Sequence, residues 1–230
     1  MNRVVLPELL DVLPPRDASA QRSRRDLRRI NAWMRPPRIM ARALRENPPR
    51  GVTELAELGA GDGHFLLRVA QRLHGQPPLS AATLVDRLPV LEPGIADRFA
   101  RLGWRVRLET MEATDWLRGV APGNSRVILG NLFFHQFDPE PLADMLRLAA
   151  AASRWFIALE PRRAWLPRLC GRFLWTIGCG PVTRHDARIS IAAGFAGNEL
   201  SNLWPDKDRW HLTERPVGLF SHLFIARLRE

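Results

Sequence analysis

The stretch ELGAGDGHF, Glu57 to Phe65, places three glycines at alternate positions between an apolar run and a helical pattern. Glycine is needed where φ is positive or where a ligand approaches the backbone closely. In a sheet of parallel strands, ligands bind beyond the carboxyl ends of the strands. Gly59, Gly61 and Gly63 follow an apolar run that is typical of a first strand. This stretch therefore predicts a ligand-binding loop.

Two common nucleotide-binding loops do not fit the spacing of these glycines. A dinucleotide fingerprint, G-x-G-x-x-G, would need a glycine where His64 stands, and this difference counts against NAD. A Walker loop is excluded because no Gly-Lys-Ser/Thr sequence follows the glycines.

The chain around this loop alternates short apolar runs with helix-like stretches from Val52 to about residue 160. Such alternation predicts a parallel sheet covered by helices on both faces. The tail RWHLTERPVGLFSHLFIARL, residues 209–228, breaks the rhythm and predicts an antiparallel strand pair that closes the sheet. Helices are predicted at 17–34 and 38–46, between proline pairs, and at about 140–152.

Four features, in chain order, resemble class I S-adenosylmethionine-dependent methyltransferases. E-x-G-x-G-x-G from Glu57 resembles the cofactor loop of this family, and TLVDRL brings Asp86, 23 residues past Gly63, to the end of the next strand. TMEATDWL resembles the segment that contacts adenine. VILGNLFFHQF resembles the sequence after the fourth strand in small-molecule methyltransferases of the ubiquinone-biosynthesis type.

The resemblance implies a Rossmann-like α/β fold. The sheet would have seven mostly parallel strands, an antiparallel C-terminal pair and helices on both faces. The cofactor would be S-adenosyl-L-methionine, the product S-adenosyl-L-homocysteine, and no metal is expected. Asp86 would accept hydrogen bonds from the ribose hydroxyls. The cofactor-binding residues expected from the resemblance are Glu57, Gly59, Ala60, Gly61, Gly63, Asp86, Arg87, Glu112, Ala113 and Asn131.

The substrate side of the site is predicted after the fourth strand. Phe133, Phe134 and His135 would line an apolar acceptor pocket, although the two phenylalanines could equally be ordinary core residues. A hydroxyl or acidic carbon acceptor needs a base that titrates near neutral pH, and histidine is the usual choice. His135 and His185 are the candidate bases.

Two acidic neighbours bear on these candidates. Asp186 follows His185 directly, and adjacent residues on a regular element are not expected to face each other. Asp186 is expected to cap a helix instead. Glu160 would end the fifth strand, where it could orient a substrate or pair with Arg162 or Arg163.

Positive charge is concentrated near the N-terminus. The chain has a net charge of +10, and residues 16–50 contain eleven arginines against Asp17, Asp26 and Glu46. These arginines could form a solvated helix face or contact an anionic substrate or a membrane surface. We expect residues 1–50 to form a helical lid or extension and residues 51–230 to form the methyltransferase core domain. The apolar helical face within 164–180 could be core, pocket wall or membrane-contacting surface.

The expected function is methyl transfer to a small hydrophobic acceptor, a phenol, quinone or polyketide-like lipid of secondary metabolism, at oxygen or carbon. DNA is not expected as a partner and RNA is disfavoured, because no proline pair or cysteine nucleophile stands at residues 131–134. An RNA or protein methyltransferase and a non-catalytic cofactor-binding relative remain as alternatives. No signal peptide or membrane span is predicted, so a cytoplasmic location is expected. The alternative is a cytoplasmic protein that contacts the membrane surface through the Arg-rich helices.

Overall fold

Seven strands form the centre of the computed structural model, which describes residues 2–14, 17–46, 51–75, 79–88, 91–121 and 126–229. In chain order they are β1 (Glu54–Leu58), β2 (Ala81–Asp86), β3 (Arg105–Thr110), β4 (Arg126–Asn131), β5 (Trp155–Pro161), β6 (Trp210–Val217) and β7 (Ser221–Leu228). They lie side by side in the order β3-β2-β1-β4-β5-β7-β6.

Strands β1 to β5 are parallel, whereas β7 is antiparallel to both β5 and β6. This confirms the predicted sheet and its antiparallel closing pair. The central strands β1, β4 and β5 are buried along nearly their whole length. They are buried because helices cover both faces of a parallel sheet, so both sets of alternating side chains must be apolar.

The helices are α1 (Leu9–Val12), α2 (Ala18–Met34), α3 (Pro36–Glu46), α4 (His64–Leu73), α5 (Ile95–Ala100), α6 (Ala113–Gly119), α7 (Pro139–Ala152), α8 (Trp165–Arg172), α9 (Pro181–Ala193) and α10 (Glu199–Leu203). Short 3-10 helices span Phe134–Gln136, Leu174–Ile177 and Lys207–Arg209. One hydrophobic cluster joins α3, α4 and α5 to the sheet, and a second joins α6, α7 and α10 to its other face.

The N-terminal helices have two different attachments. Met40 and Leu44 of α3 are buried in the core beside α4. Helices α1 and α2 instead pack against α9. The expected boundary at residue 50 lies in 47–50, outside the described residues, and the division into lid and core stays a prediction.

None of the described helices is long and apolar enough to cross a membrane.

The apolar stretch 164–180 does not form a core helix. It folds as α8 followed by the 3-10 helix Leu174–Ile177, and the side chains of Trp165, Phe173 and Trp175 are largely exposed. The core interpretation of this stretch is therefore corrected: Gly171 and Pro167 face inward, while the large apolar side chains face outward.

Candidate active site

The glycine loop connects β1 to α4 at the carboxyl edge of the sheet. All three glycines have positive φ, a backbone conformation that residues with a Cβ atom rarely adopt. A Cβ on Gly59 would lie 2.2 Å from Cδ2 of Phe133, so glycine is required there for packing as well. A Cβ on Gly61 would meet nothing within 4 Å, so the open side of the loop is at Gly61.

Asp86, the last residue of β2, holds the loop in place. Its Oδ2 accepts a hydrogen bond from Gly61 N at 2.8 Å, and its Oδ1 accepts one from Leu88 N at 2.9 Å. A carboxylate offers about four lone-pair sites, so each oxygen keeps the capacity to accept a further hydrogen bond. Asp86 can therefore fix the loop and still receive two ligand hydroxyls.

Two buried acceptor atoms at the ends of β1 and β4 have no hydrogen-bond partner among the described residues. They are Oε2 of Glu57 and Oδ1 of Asn131, which lie on paired strands. Burial, reinforced by the nearby Asp62 carboxylate, raises the pKa of Glu57 well above its ordinary value. Unsatisfied buried acceptors cost free energy, so this site suits a ligand that donates hydrogen bonds or carries positive charge.

The remaining residues predicted to bind the cofactor lie around the same edge. Met111 N donates to Asp86 O at 3.0 Å, which brings the loop after β3 next to Asp86. Glu112 is exposed at the start of α6, Ala113 is buried in its first turn, and Arg87 is exposed just after β2. Their roles in cofactor binding stay predictions.

Glu160, completely buried near the end of β5, organises the turn after β4. Its carboxylate accepts hydrogen bonds from the backbone N–H groups of Phe133 and Phe134 at 3.0 Å and of His135 at 3.2 Å. It also lies 2.8 Å from Nδ1 of His135. Of the two alternatives for Glu160, the pairing with Arg162 or Arg163 is not the arrangement observed, because this turn occupies the carboxylate and Arg163 pairs with Glu199.

An N-terminal strap, residues 2–10, crosses this turn. Arg3 donates to the carbonyl oxygens of His135 at 2.9 Å, Phe137 at 2.6 Å and Ala193 at 2.8 Å. Glu8 Oε1 lies 3.5 Å from Nε2 of His135 and accepts a hydrogen bond from Ser190 of α9. The strap is thus attached both to the turn after β4 and to α9.

His135 is nearly fully buried between two carboxylates. Burial alone would lower its pKa, but the hydrogen bond with Glu160 and the Glu8 carboxylate, 3.5 Å from Nε2, outweigh burial and raise the pKa to about 9. Burial would raise the pKa of Glu8, yet the nearby His135 imidazole and the hydrogen bond from Ser190 lower it. With the strap in place, His135 is therefore an imidazolium at neutral pH.

A cavity of about 270 Å³ adjoins His135 between the strap and α9. Its lining residues are Val5, Leu6, Pro7, Glu8, His135, Gln136, Asp138, Ile189 and Ala193. Phe134 does not line it: its ring is fully buried against Gly130 and Phe156, so the pocket prediction is corrected for this residue. Phe133 lies against Gly59, on the side of the glycine loop.

His185 lies on α9 and is partly exposed. Its Nδ1 is 3.1 Å from Oδ1 of Asp186, so the expectation that these neighbours could not face each other is wrong. The imidazole is long enough to reach across the angle between adjacent positions on the helix. Asp186 does cap a helix, but it caps α1, whose Leu9 N and Leu10 N donate to it at 2.9 and 3.0 Å.

Glu8 and the strap are the parts of the candidate site that the sequence pattern does not indicate. An acidic residue that interrupts the apolar stretch of residues 4–13 was the available signal. Glu8 lies 127 positions before His135 (135 − 8), and nothing in the local pattern relates the two.

No family model matches the sequence, and no curated protein is significantly similar to it. Solved structures are similar in fold. An O-methyltransferase family protein from Burkholderia thailandensis matches with a TM-score of 0.59 at 19% identity, over 92% of this chain and 60% of that one. This chain therefore spans about three fifths of that protein.

Two further structures match over most of both chains. The plantazolicin methyltransferase BamL, in complex with a triazolic desmethylPZN analogue and S-adenosylhomocysteine, has a TM-score of 0.63 at 12% identity, over 92% of this chain and 91% of that one. The magnesium protoporphyrin IX methyltransferase of Synechocystis, with bound S-adenosylmethionine, has a TM-score of 0.52 at 9% identity, over 90% and 84%. Together with the strand order, these likenesses define the Rossmann-like class I methyltransferase fold.

Proposed function

We propose that the protein transfers a methyl group from S-adenosylmethionine to a small hydrophobic acceptor, a phenol, quinone or polyketide-like lipid. The observation that carries this proposal is the arrangement at the carboxyl edge of the sheet. A glycine loop held by Asp86 lies at the ends of β1 and β2, and the His135–Glu160 pair lies at the ends of β4 and β5 beside a cavity. These are the places for a cofactor and an acceptor in an open α/β sheet.

The residues present fit S-adenosylmethionine. Asp86 keeps lone pairs for the ribose hydroxyls, and the unsatisfied oxygens of Glu57 and Asn131 suit an ammonium group. The bound S-adenosylhomocysteine of BamL and the bound S-adenosylmethionine of the Synechocystis enzyme support this choice of cofactor. When bound, S-adenosylmethionine supplies an electrophilic methyl group.

His135 is the proposed general base. Glu160 holds its Nδ1, which leaves Nε2 to face Glu8 and the cavity. A base must be neutral to take a proton, and the Glu8 carboxylate keeps His135 charged. An acceptor hydroxyl that replaces Glu8 at Nε2 would remove a negative charge from His135 and lower its pKa. Acceptor binding would thereby prepare the base.

Thermal unfolding tests the cofactor assignment. A ligand at about 100 times its dissociation constant adds roughly 2.7 kcal/mol, which raises Tm by about 5–10 °C for a domain of this size. We expect this shift with S-adenosylhomocysteine, none with NAD, and a much smaller one in Asp86→Ala. Asp144→Ala, an exposed carboxylate on α7, is the matched control. No shift in folded, cofactor-free wild type would contradict the assignment.

Turnover tests the acceptor and the base. We would measure S-adenosylhomocysteine release over a panel of phenols, quinones and phenolic lipids. His135→Gln should lower the rate by about 10²- to 10⁴-fold, the usual contribution of a general base. His185→Gln, which removes the partly exposed histidine on α9, is the control. Loss of activity in the control alone would assign the base to His185.

RNA is a second candidate acceptor because of a basic groove on α3 and α4. This groove, of about 660 Å³, is lined by Arg38, Arg42, Arg45, Arg72 and Glu46. Burial and the neighbouring arginines lower the pKa of Arg72, as expected of crowded positive charges. Steep loss of RNA binding with rising salt would favour this candidate.

A further inference from the structure

Large apolar side chains are exposed on α8, in the segment after it and near the end of α2. Trp165 on α8, Phe173 after it, and Trp175 and Ile177 in the following 3-10 helix are between 51% and 68% exposed. Trp33, near the end of α2, is 69% exposed. Several large apolar side chains exposed within one short segment of a folded protein indicate an interaction site.

Helix α2 joins this apolar surface with a row of arginines. Arg22, Arg25, Arg29 and Trp33 recur at helical spacing and therefore share one face of α2. Nη2 of Arg22 donates to Gly178 O at 3.2 Å, and Nη2 of Arg29 donates to Ile177 O at 3.1 Å. These bonds place Arg22 and Arg29 directly beside Ile177 and Gly178, at the end of the exposed apolar segment.

The charge of this surface is positive. Residues 164–185 contain no aspartate or glutamate but include Arg168, Arg172 and Arg184. The one acidic residue of α2, Asp26, is buried and accepts hydrogen bonds from Gly180 N and Thr183 Oγ1 at 2.8 and 3.0 Å. Oδ1 of Asp26 also lies 3.6 Å from Nη1 of Arg29, so this buried acid offsets one of the arginines. The exposed side chains of α2 and of residues 164–185 include no carboxylate, so the surface keeps a net positive charge.

We propose that this aromatic–arginine face (Trp33, Trp165, Phe173, Trp175 and Ile177 with Arg22, Arg25 and Arg29) binds the surface of an anionic lipid bilayer. Tryptophan is enriched at the membrane–water interface, and exposed arginines are attracted to anionic headgroups. This face combines large apolar groups with positive charge. An anionic bilayer offers a matching apolar interior and negative headgroups over its whole area, whereas a protein partner or a second copy would need a surface patch built to match both features. Bilayer binding itself does not depend on the proposed methyl transfer.

The position of the face relates it to the cavity beside His135. Helix α8 packs on α9, where a Cβ on Gly171 would lie 3.3 Å from Cδ1 of Ile191. The same helix α9 contributes Ile189 and Ala193 to the wall of the cavity. A bilayer on the aromatic–arginine face would therefore lie one helix away from the cavity, and if the proposed function holds, a lipid-like acceptor could reach it from the membrane.

Vesicle co-sedimentation of the full chain tests the proposal. We would compare vesicles of phosphatidylcholine alone with vesicles of about three parts phosphatidylcholine to one part phosphatidylglycerol. We expect binding to the anionic vesicles only, with a blue shift of tryptophan emission. Arg25→Gln/Arg29→Gln should reduce binding by about 25-fold, since each basic residue near the surface contributes about fivefold. Trp175→Ser/Ile177→Ser should reduce it by at least about tenfold.

Matched variants away from the face control for nonspecific effects. Arg118→Gln/Arg147→Gln removes two arginines whose exposure, 61% and 63%, is close to the 64% of Arg29. Leu108→Ser removes an exposed apolar residue on β3. Both should bind as the wild type does. Failure of the wild type to bind anionic vesicles, or equal loss in test and control variants, would overturn the proposal. A dimer in light scattering that Trp175→Ser/Ile177→Ser converts to a monomer would assign the face to a second copy instead.

Discussion

Nδ1 of His135 lies 2.8 Å from Oε2 of Glu160, and the same carboxylate accepts hydrogen bonds from three backbone N–H groups of the turn that carries His135. Glu160 therefore fixes the backbone and the ring together. Because both groups of hydrogen bonds belong to one buried carboxylate, the position of the imidazole depends on β5 as much as on β4.

Glu160→Gln should lower the free energy of unfolding by about 3 kcal/mol, because a charged acceptor shared by four donors is replaced by an amide with one acceptor oxygen. Urea unfolding at pH 7 measures the change. Glu140→Gln, an exposed site in the first turn of α7, should change it by less than about 0.5 kcal/mol. Equal stability of the two variants would mean that Glu160 does not hold the turn.

Stability should fall as the pH rises from 6.5 to 9. The pKa of His135 is about 9 in the folded protein and 6.5 in an unfolded chain, so the folded state binds one more proton in this window. The stabilisation is complete below pH 6.5, is lost as the pH rises towards 9, and amounts to about 3 kcal/mol. Urea unfolding at both pH values, in wild type and His135→Gln, isolates this contribution. An identical pH dependence in the variant would refute it.

Glu8→Gln should shift the pH dependence of methyl transfer. The amide keeps an acceptor for Ser190 but removes the negative charge 3.5 Å from Nε2 of His135. The pKa of His135 should then fall by at least about one unit, and kcat/KM should rise to its plateau at a correspondingly lower pH. The profile is measured with any accepted phenol. An unchanged midpoint would show that Glu8 does not control the base.

Gly59→Ala should be more destabilising than Gly61→Ala. Both have positive φ, which costs an alanine about 1–2 kcal/mol, but only at Gly59 would the methyl group also clash with Phe133. We expect an additional cost of about 1–3 kcal/mol at Gly59. Phe133→Ala in the Gly59→Ala background should remove that additional cost, which urea unfolding of the single and double variants would measure. Equal costs at the two glycines would contradict the close packing of Phe133.

Much of the fold could be predicted from the chain itself. The spacing of apolar runs and helical stretches predicts the parallel sheet, which strands β1 to β5 confirm. The tail predicts its antiparallel end, which β6 and β7 confirm. The helix predicted at 38–46 begins two residues earlier, at Pro36, because proline suits the first turn of a helix. Local patterns suffice here because each element must bury its own apolar side.

The candidate site could be predicted from the sequence only in part. The glycine loop and Asp86 could be predicted from the sequence because a positive φ and a strand end leave local signs. The sequence places Glu160 at the end of a strand but does not indicate that it accepts hydrogen bonds from four donors. Those donors belong to the turn that follows another strand, β4.

The sequence by itself determined the order of strands and helices, the glycine loop and the end of β2, because these follow from short-range periodicity and backbone conformation. Only the tertiary structure decided that Glu8 faces His135 and that Phe134 is core. It also decided that the apolar side chains after β5 point outward beside the arginines of α2. These relationships join residues far apart in the chain, and which partners meet depends on how whole helices pack, which no local pattern records.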